Sequence, residues 1–174
     1  VSAGYSSTCA ILDNGSVRCW GNNQNGRTGL GMSSGYTGDA DDEMGDDLAT
    51  VELGTGRTAS SISVGYSHAC ALLDNLSIAC WGHNGQGQIG IGTNNDVDTT
   101  TEMGAGLVTA DLPTTRSSSV SSGWYYSCAI IQDATVRCWG ENSDGRLGVY
   151  DGADDDIGDE SGDMGGELQI TNLY

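Results

Sequence analysis

One motif occurs three times in this chain, and its copies divide the chain into three units. The copies begin at residues 1, 62 and 120. Each runs from Gly and an aromatic residue through Cys-Ala to Cys-Trp-Gly. We therefore assign repeat units to residues 1–61, 62–119 and 120–174. Self-similarity at this period is typical of propellers, solenoids and other repeat arrays rather than of an enzyme with a single site.

The pattern inside each unit predicts strands and no helix. Short runs rich in Val, Ile and Leu lie between turn residues, and no window has apolar residues at helical spacing. Glycine occurs 28 times and proline once, so the turns are built with glycine. Four short strands per unit are expected. The fourth strands are predicted at Val51–Leu53, Ala110–Leu112 and Thr171–Leu173.

The six cysteines recur as one Cys-x9-Cys pair in each unit: Cys9 and Cys19, Cys70 and Cys80, Cys128 and Cys138. A three-residue loop between two strands would place the members of each pair opposite each other, so that a disulfide could close. Three such disulfides indicate an oxidising compartment. The alternative to disulfides is that the cysteines are buried free thiols. A zinc site would need Cys and His clustered at short spacing, which this pattern does not offer.

The loop of this predicted hairpin has a conformational requirement. Gly15 suits its left-handed position, whereas Leu76 and Ala134 at the matching places would be strained there.

The middle unit carries the fullest form of a recognisable repeat. From Gly65 to Gly90 it reads G-x-x-H-x-C-A-L, then C-W-G-x-N-x-x-G-Q-x-G, which resembles the repeat of the regulator of chromosome condensation family. The resemblance implies a β-propeller of four-stranded antiparallel blades, usually seven in number. The expected fold is therefore all-β, with three four-stranded β-propeller-type blades in an incomplete propeller or open repeat array. The other units depart from the pattern at Ser7, Tyr126, Arg27 and Arg146.

Most of the repeated residues are interpreted as structural. Recurrence at one position predicts blade packing for the tryptophans of Cys-Trp-Gly, which are Trp20, Trp81 and Trp139. The aromatic residues after glycine are expected in the core or as wedges between blades: Tyr5, Tyr66 and Trp124. His68 has no nucleophile or second histidine at catalytic spacing, so a structural hydrogen bond is expected for it.

Charge and motifs exclude several functional classes. Six basic residues face 24 acidic ones, for a net charge of −18, which would repel a phosphate backbone, so no nucleic-acid partner is expected. The sequence contains no run of 18 apolar residues, so it predicts no membrane span. The sequence contains no nucleophile elbow, zinc-protease motif or phosphate loop, and we expect no enzyme activity.

The acidic residues concentrate in three loops, at 39–47, 96–102 and 151–167. Carboxylates clustered in this way are ligands that Ca²⁺ accepts, although the spacing is not that of an EF-hand. The alternative is solvated loops that confer solubility. No other cofactor is expected. The candidate calcium ligands are Asp39, Asp41, Asp154, Asp156 and Asp159.

Two glycosylation sequons occupy the same predicted hairpin tip in successive units. They are Asn14-Gly15-Ser16 and Asn75-Leu76-Ser77, and the third unit has Asp133-Ala134-Thr135 instead. Asn14 and Asn75 are therefore candidate glycan acceptors.

Blade number and composition together suggest a function. Three blades do not close a ring that usually needs four to eight, so partners are expected to be copies of the chain or further repeats, joined head to tail. We therefore predict an extracellular or cell-surface structural repeat protein, a self-assembling subunit or segment of a surface fibre or appendage. The alternative is a secreted β-propeller module that binds a protein or carbohydrate.

Overall fold

In the computed structural model the chain forms three antiparallel β-sheets, one from each repeat unit. The structure describes residues 1–149 and 156–173. The first sheet contains β1 (Ser2–Ala3), β2 (Ser7–Ile11), β3 (Val17–Asn22) and β4 (Tyr36–Thr37). The second contains β5 (Ala59–Val64), β6 (His68–Leu73) and β7 (Ile78–Gly82). The third contains β8 (Ser117–Ser122), β9 (Tyr126–Ile131) and β10 (Val136–Gly140).

The described residues contain no α-helix. The helical segments among them are 3-10 turns of three residues: Gln24–Gly26, Gly45–Asp47, Gly104–Gly106, Ser143–Gly145 and Gly165–Glu167. No helix in this part of the chain is long and apolar enough to cross a membrane.

The sheets stack side by side as blades. Within each sheet, strands that are consecutive in sequence are neighbours. Strand β5 packs against β1 and β2, and β8 packs against β5 and β6. The result is an open array of three blades, as expected for an incomplete propeller. The predicted unit boundaries at 62 and 120 fall inside β5 and β8, the first strands of the second and third blades.

The predicted fourth strand is reduced to isolated contacts. Val51, Ala110 and Thr171 each donate one backbone hydrogen bond to the third strand of their own blade, over 2.8 to 2.9 Å. In the first blade the fourth strand is β4, which lies in the segment before the acidic loop. In the other blades single bridges, Gly82 to Val97 and Gly140 to Ile157, occupy that edge. The blades therefore have three or four strands rather than four throughout.

The hairpin predicted from Cys-x9-Cys forms in all three blades. Cys9 lies opposite Cys19 in the β2–β3 register, and the other two pairs repeat this arrangement. All three pairs are disulfide-bonded, which confirms that prediction and leaves no free cysteine among the described residues.

The tips of these hairpins adopt the predicted left-handed conformation. Gly15 has φ 79°, and Leu76 and Ala134 have φ 70° and 64°, so two residues with a Cβ adopt a backbone that favours glycine.

The core lies inside and between the blades. Trp81 and Trp139 are fully buried, which agrees with the packing predicted for them. The indole of Trp81 donates to the Arg27 carbonyl of the preceding blade at 3.2 Å, and that of Trp139 donates to the Gln88 carbonyl at 3.0 Å. Trp20, in the first blade, is only partly buried.

Candidate functional site

Three aromatic side chains, one from each blade, form a continuous row on the surface, which we name the aromatic strip. It consists of Tyr5, Tyr66 and Trp124. The rings of Tyr5 and Tyr66 stack with centroids 4.5 Å apart, and those of Tyr66 and Trp124 are tilted with centroids 5.4 Å apart. Tyr5 is 69% exposed and Trp124 is 63% exposed. The strip therefore presents rings to solvent across all three blades.

The strip corrects one prediction. These residues were expected in the core or as wedges between blades, and they bridge neighbouring blades but lie outside the core. The reason is the turn between the first and second strands of each blade. In the first blade the Gly4 amide closes this turn by donating to the Ser7 carbonyl. The residue after that glycine occupies the turn, so its ring projects from the sheet edge instead of packing between sheets.

A small groove runs beside the strip, between the first two blades and next to Tyr125 of the third. Its volume is about 270 Å³. It is lined by aromatic rings and by polar side chains that include Asn22, Gln24, Arg27, His83 and Tyr125. This volume lies near the lower end of small-molecule pockets, about 300 Å³, so a partner would rest mainly on the strip.

Arg27 fixes one wall of the groove. Its guanidinium donates to the Gln24 carbonyl at 2.8 Å, to the Ser6 hydroxyl at 2.9 Å and to the Tyr66 carbonyl at 3.1 Å. Burial lowers the pKa of Arg27, but arginine stays charged in proteins. The Arg27 side chain therefore fixes a positive charge beneath the strip and links the first blade to the second.

The opposite wall is held by a carboxylate. Asp96 accepts hydrogen bonds from the Asn84 amide at 2.8 Å and the Asn25 side chain at 3.0 Å, and its Oδ1 lies 2.9 Å from His83 Nδ1. The Tyr125 ring meets the His83 ring edge-on, with centroids 6.4 Å apart. Groups from all three blades therefore shape the groove, which local sequence patterns do not reveal.

Three comparisons place this architecture among known proteins. The model of the regulator of chromosome condensation (RCC1) repeat matches residues 1–27, 59–88 and 118–146, one segment in each blade.

The chain belongs to this family.

Relatives of known sequence include the ultraviolet-B receptor UVR8 of Arabidopsis thaliana, 27% identical over 156 residues, which are 88% of this chain and 32% of the receptor. The human probable E3 ubiquitin-protein ligase HERC6 is 33% identical over 88 residues, which are 51% of this chain and 8% of the ligase. The chain thus spans about a third or less of these relatives.

Solved structures with the same fold include yeast RCC1 (Prp20) bound to Kap60, with a TM-score of 0.69 and 18% identity over 99% of this chain and 36% of that one. Human WBSCR16 matches with a TM-score of 0.69 and 20% identity, over 91% of this chain and 38% of the WBSCR16 chain. At this identity the likeness shows the fold alone.

The family's histidine, His68, is buried between the second and third blades. Its Nε2 lies 2.9 Å from the Ser127 hydroxyl, which itself donates to the Gln88 carbonyl at 3.0 Å. Because that hydroxyl proton is already used, His68 Nε2 is the donor. Burial lowers the pKa of His68 to about 3. The structure thus gives this residue the structural hydrogen bond expected for it.

The acidic loops are organised by one carboxylate in each blade. Glu43 accepts backbone hydrogen bonds from Gly38, Asp39 and Ala40, and Glu102 accepts them from Asp98 and Thr99. Asp163 does the same in the third blade. These bonds lower the pKa of Glu43, and the Thr99 hydroxyl, together with the backbone bonds, lowers the pKa of Glu102. The sequence signal for this role is an acidic residue directly before each Met-Gly.

The candidate calcium ligands that the structure describes are not gathered into a site. Among the described residues, no group of three or more His, Cys, Asp or Glu side chains is placed to hold a metal ion. Asp39 and Asp41 are exposed, and Asp156 accepts the Asn142 amide at 3.2 Å. Burial raises the pKa of Asp156. Asp154 lies outside the described residues, and Asp159 belongs to the loop organised by Asp163. Calcium binding stays a prediction.

Both sequon asparagines lie exposed at hairpin tips. The Asn14 side-chain oxygen accepts the Ser16 amide at 3.0 Å and its hydroxyl at 2.7 Å, and Asn75 makes the same pair of bonds with Ser77. The nitrogen that would carry a glycan is not the atom that closes this turn. Glycosylation of Asn14 and Asn75 stays a prediction.

Proposed function

We propose that this chain is an extracellular binding module whose aromatic strip holds a partner protein. The single observation that carries the proposal is the row of Tyr5, Tyr66 and Trp124, with both end rings exposed, beside the groove that contains Arg27. Tyr, Trp and Arg are the residues most often found at the energetic centres of protein interfaces. Contiguous exposed apolar surface on a soluble protein is often an interaction site.

The scaffold suits this role because it holds the rings in place. Each ring sits on a short turn next to a disulfide-closed hairpin, and each contacts a ring of a neighbouring blade. The rings therefore lose little conformational entropy when a partner binds, and this favours affinity.

Charge defines the partner further. A chain with net charge −18 attracts basic protein surfaces and repels nucleic acid. Among family members, yeast Prp20 is described in complex with Kap60, and its binding to Gsp1p and histones has been studied. These partners belong to Prp20. They support the general idea that an RCC1 blade array presents a protein-binding surface.

The extracellular location is supported by the three disulfides. Disulfides inside each blade are typical of oxidising compartments and are rare in the cytosol. The exposed sequons at two hairpin tips are compatible with passage through a glycosylating compartment. We propose no catalytic role, since the groups around the groove are held in structural hydrogen bonds.

The test compares the wild-type chain with a variant that lacks the strip. Tyr66→Ala combined with Trp124→Ala removes two of the three rings, and Tyr36→Ala, at a residue 63% exposed on β4, is the matched control. The labelled proteins are applied to an array of extracellular proteins and to a glycan array. We expect protein hits with the wild type and the control that fall at least tenfold with the double variant.

Two outcomes would contradict this proposal. Protein hits that persist in the double variant would place the binding surface elsewhere. Strip-dependent binding to glycans alone would make the partner a carbohydrate.

The second candidate function is the structural one, a subunit of a surface fibre or appendage. It requires that blades of separate copies bind each other. The indole hydrogen bonds of Trp81 and Trp139, which repeat at the two interfaces between blades, favour it.

A further inference from the structure

A second cavity lies between the first two blades, and it shares no lining residue with the groove beside the strip. Its volume is about 520 Å³. Small-molecule sites usually measure about 300–1,000 Å³, so this cavity has the size of one. We name it the seam pocket. One wall comes from residues 29–32 and 49–52 of the first blade, and the other comes from residues 100–105 of the second.

Backbone contacts between the two blades hold the walls of the seam pocket together. The Gly104 amide of the second blade donates to the Glu52 carbonyl of the first at 2.7 Å. A Cβ on Gly31 would lie 2.5 Å from the methyl carbon of Thr100, so the two chains touch there. The walls are therefore fixed relative to each other before a ligand arrives, and preorganisation of this kind favours affinity.

The lining of the seam pocket is mainly aliphatic. Leu30 and Met32 lie on one wall, and Met103 and Ala105 lie on the other. Met32 is 55% exposed, whereas Met103 is 5% exposed. Methionine is flexible and adapts to the shape of apolar ligands. Among the described residues that line the pocket, none is aromatic. The lining therefore fits a flexible alkyl chain.

The charge of the pocket selects the other end of the ligand. Of the described lining residues, Glu52 alone is charged. No ion pair within the described part of the chain includes Glu52, and Arg57 pairs with Asp74 instead, at 3.4 Å. The Thr50 and Thr100 hydroxyls add hydrogen-bond acceptors. An anion would be repelled, and a neutral ligand would cover the carboxylate without replacing its hydration, which is unfavourable. A cation satisfies both conditions.

The corresponding place between the second and third blades has different side chains. The Gly165 amide donates to the Asp111 carbonyl at 2.8 Å, as in the first interface. A Cβ on Gly165 would lie 3.1 Å from an Asp111 carboxylate oxygen, so this carboxylate lies against the backbone between the blades. At the first interface the Glu52 atom nearest the matching position is its Cβ, at 3.5 Å. Thr93 also replaces Met32. Of the two described interfaces, the first therefore combines an aliphatic wall with a carboxylate that is free to bind.

We propose that the seam pocket binds a small aliphatic amine in its ammonium form. The alkyl chain lies against Met32 and Met103, and the ammonium group donates to the Glu52 carboxylate. Each methylene added to the alkyl chain strengthens binding by about twofold to fourfold for as long as the chain fits. This site involves neither the strip nor the groove, so it is independent of the proposed binding of a partner protein.

The test uses three probes that share one alkyl chain and differ in charge: n-hexylamine, n-hexanol and hexanoate. Nuclear magnetic resonance of methyl-labelled methionine reports their binding, because Met32 and Met103 line the pocket and Met44 and Met164 do not. We expect hexylamine to shift the first two signals in a saturable manner and to leave the other two unchanged. It should bind about threefold to fivefold more tightly than hexanol, as expected for an exposed ion pair. Hexanoate should cause no shift.

Two pairs of variants separate the role of the charge from that of the space. Glu52→Gln removes the carboxylate, and Glu167→Gln makes the same change at an exposed residue of the third blade. Ala49→Trp fills the pocket, and Val108→Trp makes a matched change at the corresponding position of the second blade, at a residue 58% exposed. We expect the first variant to bind hexylamine no more tightly than hexanol, and Ala49→Trp to bind neither. Both controls should bind like the wild type.

Three results would overturn the proposal. Equal shifts of all four methionine signals would mean that amines only gather around an acidic chain. A preference for hexylamine that persists in Glu52→Gln would remove the carboxylate from the site. Tighter binding of N-acetyl-lysine methylamide than of hexylamine would make the occupant a lysine side chain of a protein.

Two further measurements keep the test decisive. If circular dichroism shows that Ala49→Trp is unfolded, Glu52→Gln and the methionine signals decide the result, since the Glu52 carbonyl that binds Gly104 stays in place. The strip variant, Tyr66→Ala with Trp124→Ala, should bind hexylamine like the wild type. A loss of amine binding in the strip variant would place the amine site at the strip and refute the seam pocket.

Discussion

Trp81→Ala is the sharpest test of how the blades are held together. The indole is fully buried between the first two blades, and its N–H donates to the Arg27 carbonyl at 3.2 Å. Removing a buried Trp side chain costs about 3–5 kcal/mol, and leaving the carbonyl without its donor adds about 1 kcal/mol. We therefore expect the free energy of unfolding to fall by about 4–6 kcal/mol. Since whole domains are stable by about 5–15 kcal/mol, this is a large share.

The assay is urea unfolding followed by far-ultraviolet circular dichroism, with thermal melting as a second measurement. For a chain of this size the melting temperature should drop by roughly 10 °C. The matched control is Trp124→Ala, which removes the same side chain at a residue 63% exposed. It loses a ring contact with Tyr66, worth at most about 1.5 kcal/mol. Equal losses in the two variants would show that the buried indole does not hold the blades together.

Three further predictions follow from the hairpins and the buried histidine. Non-reducing peptide mapping should recover only the intra-blade disulfides, each worth about 2–3 kcal/mol by loop entropy, and a link between blades would contradict the observed register. Stability should fall as the pH drops from about 6.5 towards the His68 pKa of about 3, because the unfolded chain takes up a proton that native His68 does not. His68→Gln should flatten the dependence of stability on pH between pH 6.5 and 4.5, above the range in which the Glu43 and Glu102 carboxylates titrate. An unchanged slope would mean that His68 is not the group responsible. Gly15→Ala should destabilise the protein by about 1–2 kcal/mol, and Ala134→Gly should be neutral or stabilising, because only glycine adopts positive φ without strain. Unfolding curves in which both substitutions change stability in the same direction would refute the strain argument.

The cysteine spacing was enough to predict the hairpins. A fixed separation between two cysteines determines which residues face each other, so the register of Cys9 with Cys19 could be read directly from the sequence. The left-handed tips at Leu76 and Ala134 followed from the same register. These are local consequences of chain geometry.

Long-range contacts account for what the sequence did not reveal. Residue type suggested burial for Tyr5, but the turn after Gly4 decides which way that ring projects. The groove depends on the Asn25 side chain of one blade meeting Asp96 of the next, residues that are far apart in sequence. The predicted fourth strands failed because a single hydrogen bond per blade, such as that of Val51, does not make a ladder.

The disulfides have a consequence for how such a chain changes over evolutionary time. Every covalent cross-link joins two residues of the same hairpin, and none ties one blade to another. The contacts between blades are the same at both interfaces. A gene segment that encodes one blade therefore carries all of its own cross-links, and its duplication or loss leaves no cysteine without a partner. Chains of this kind are free to gain or lose length in whole blades.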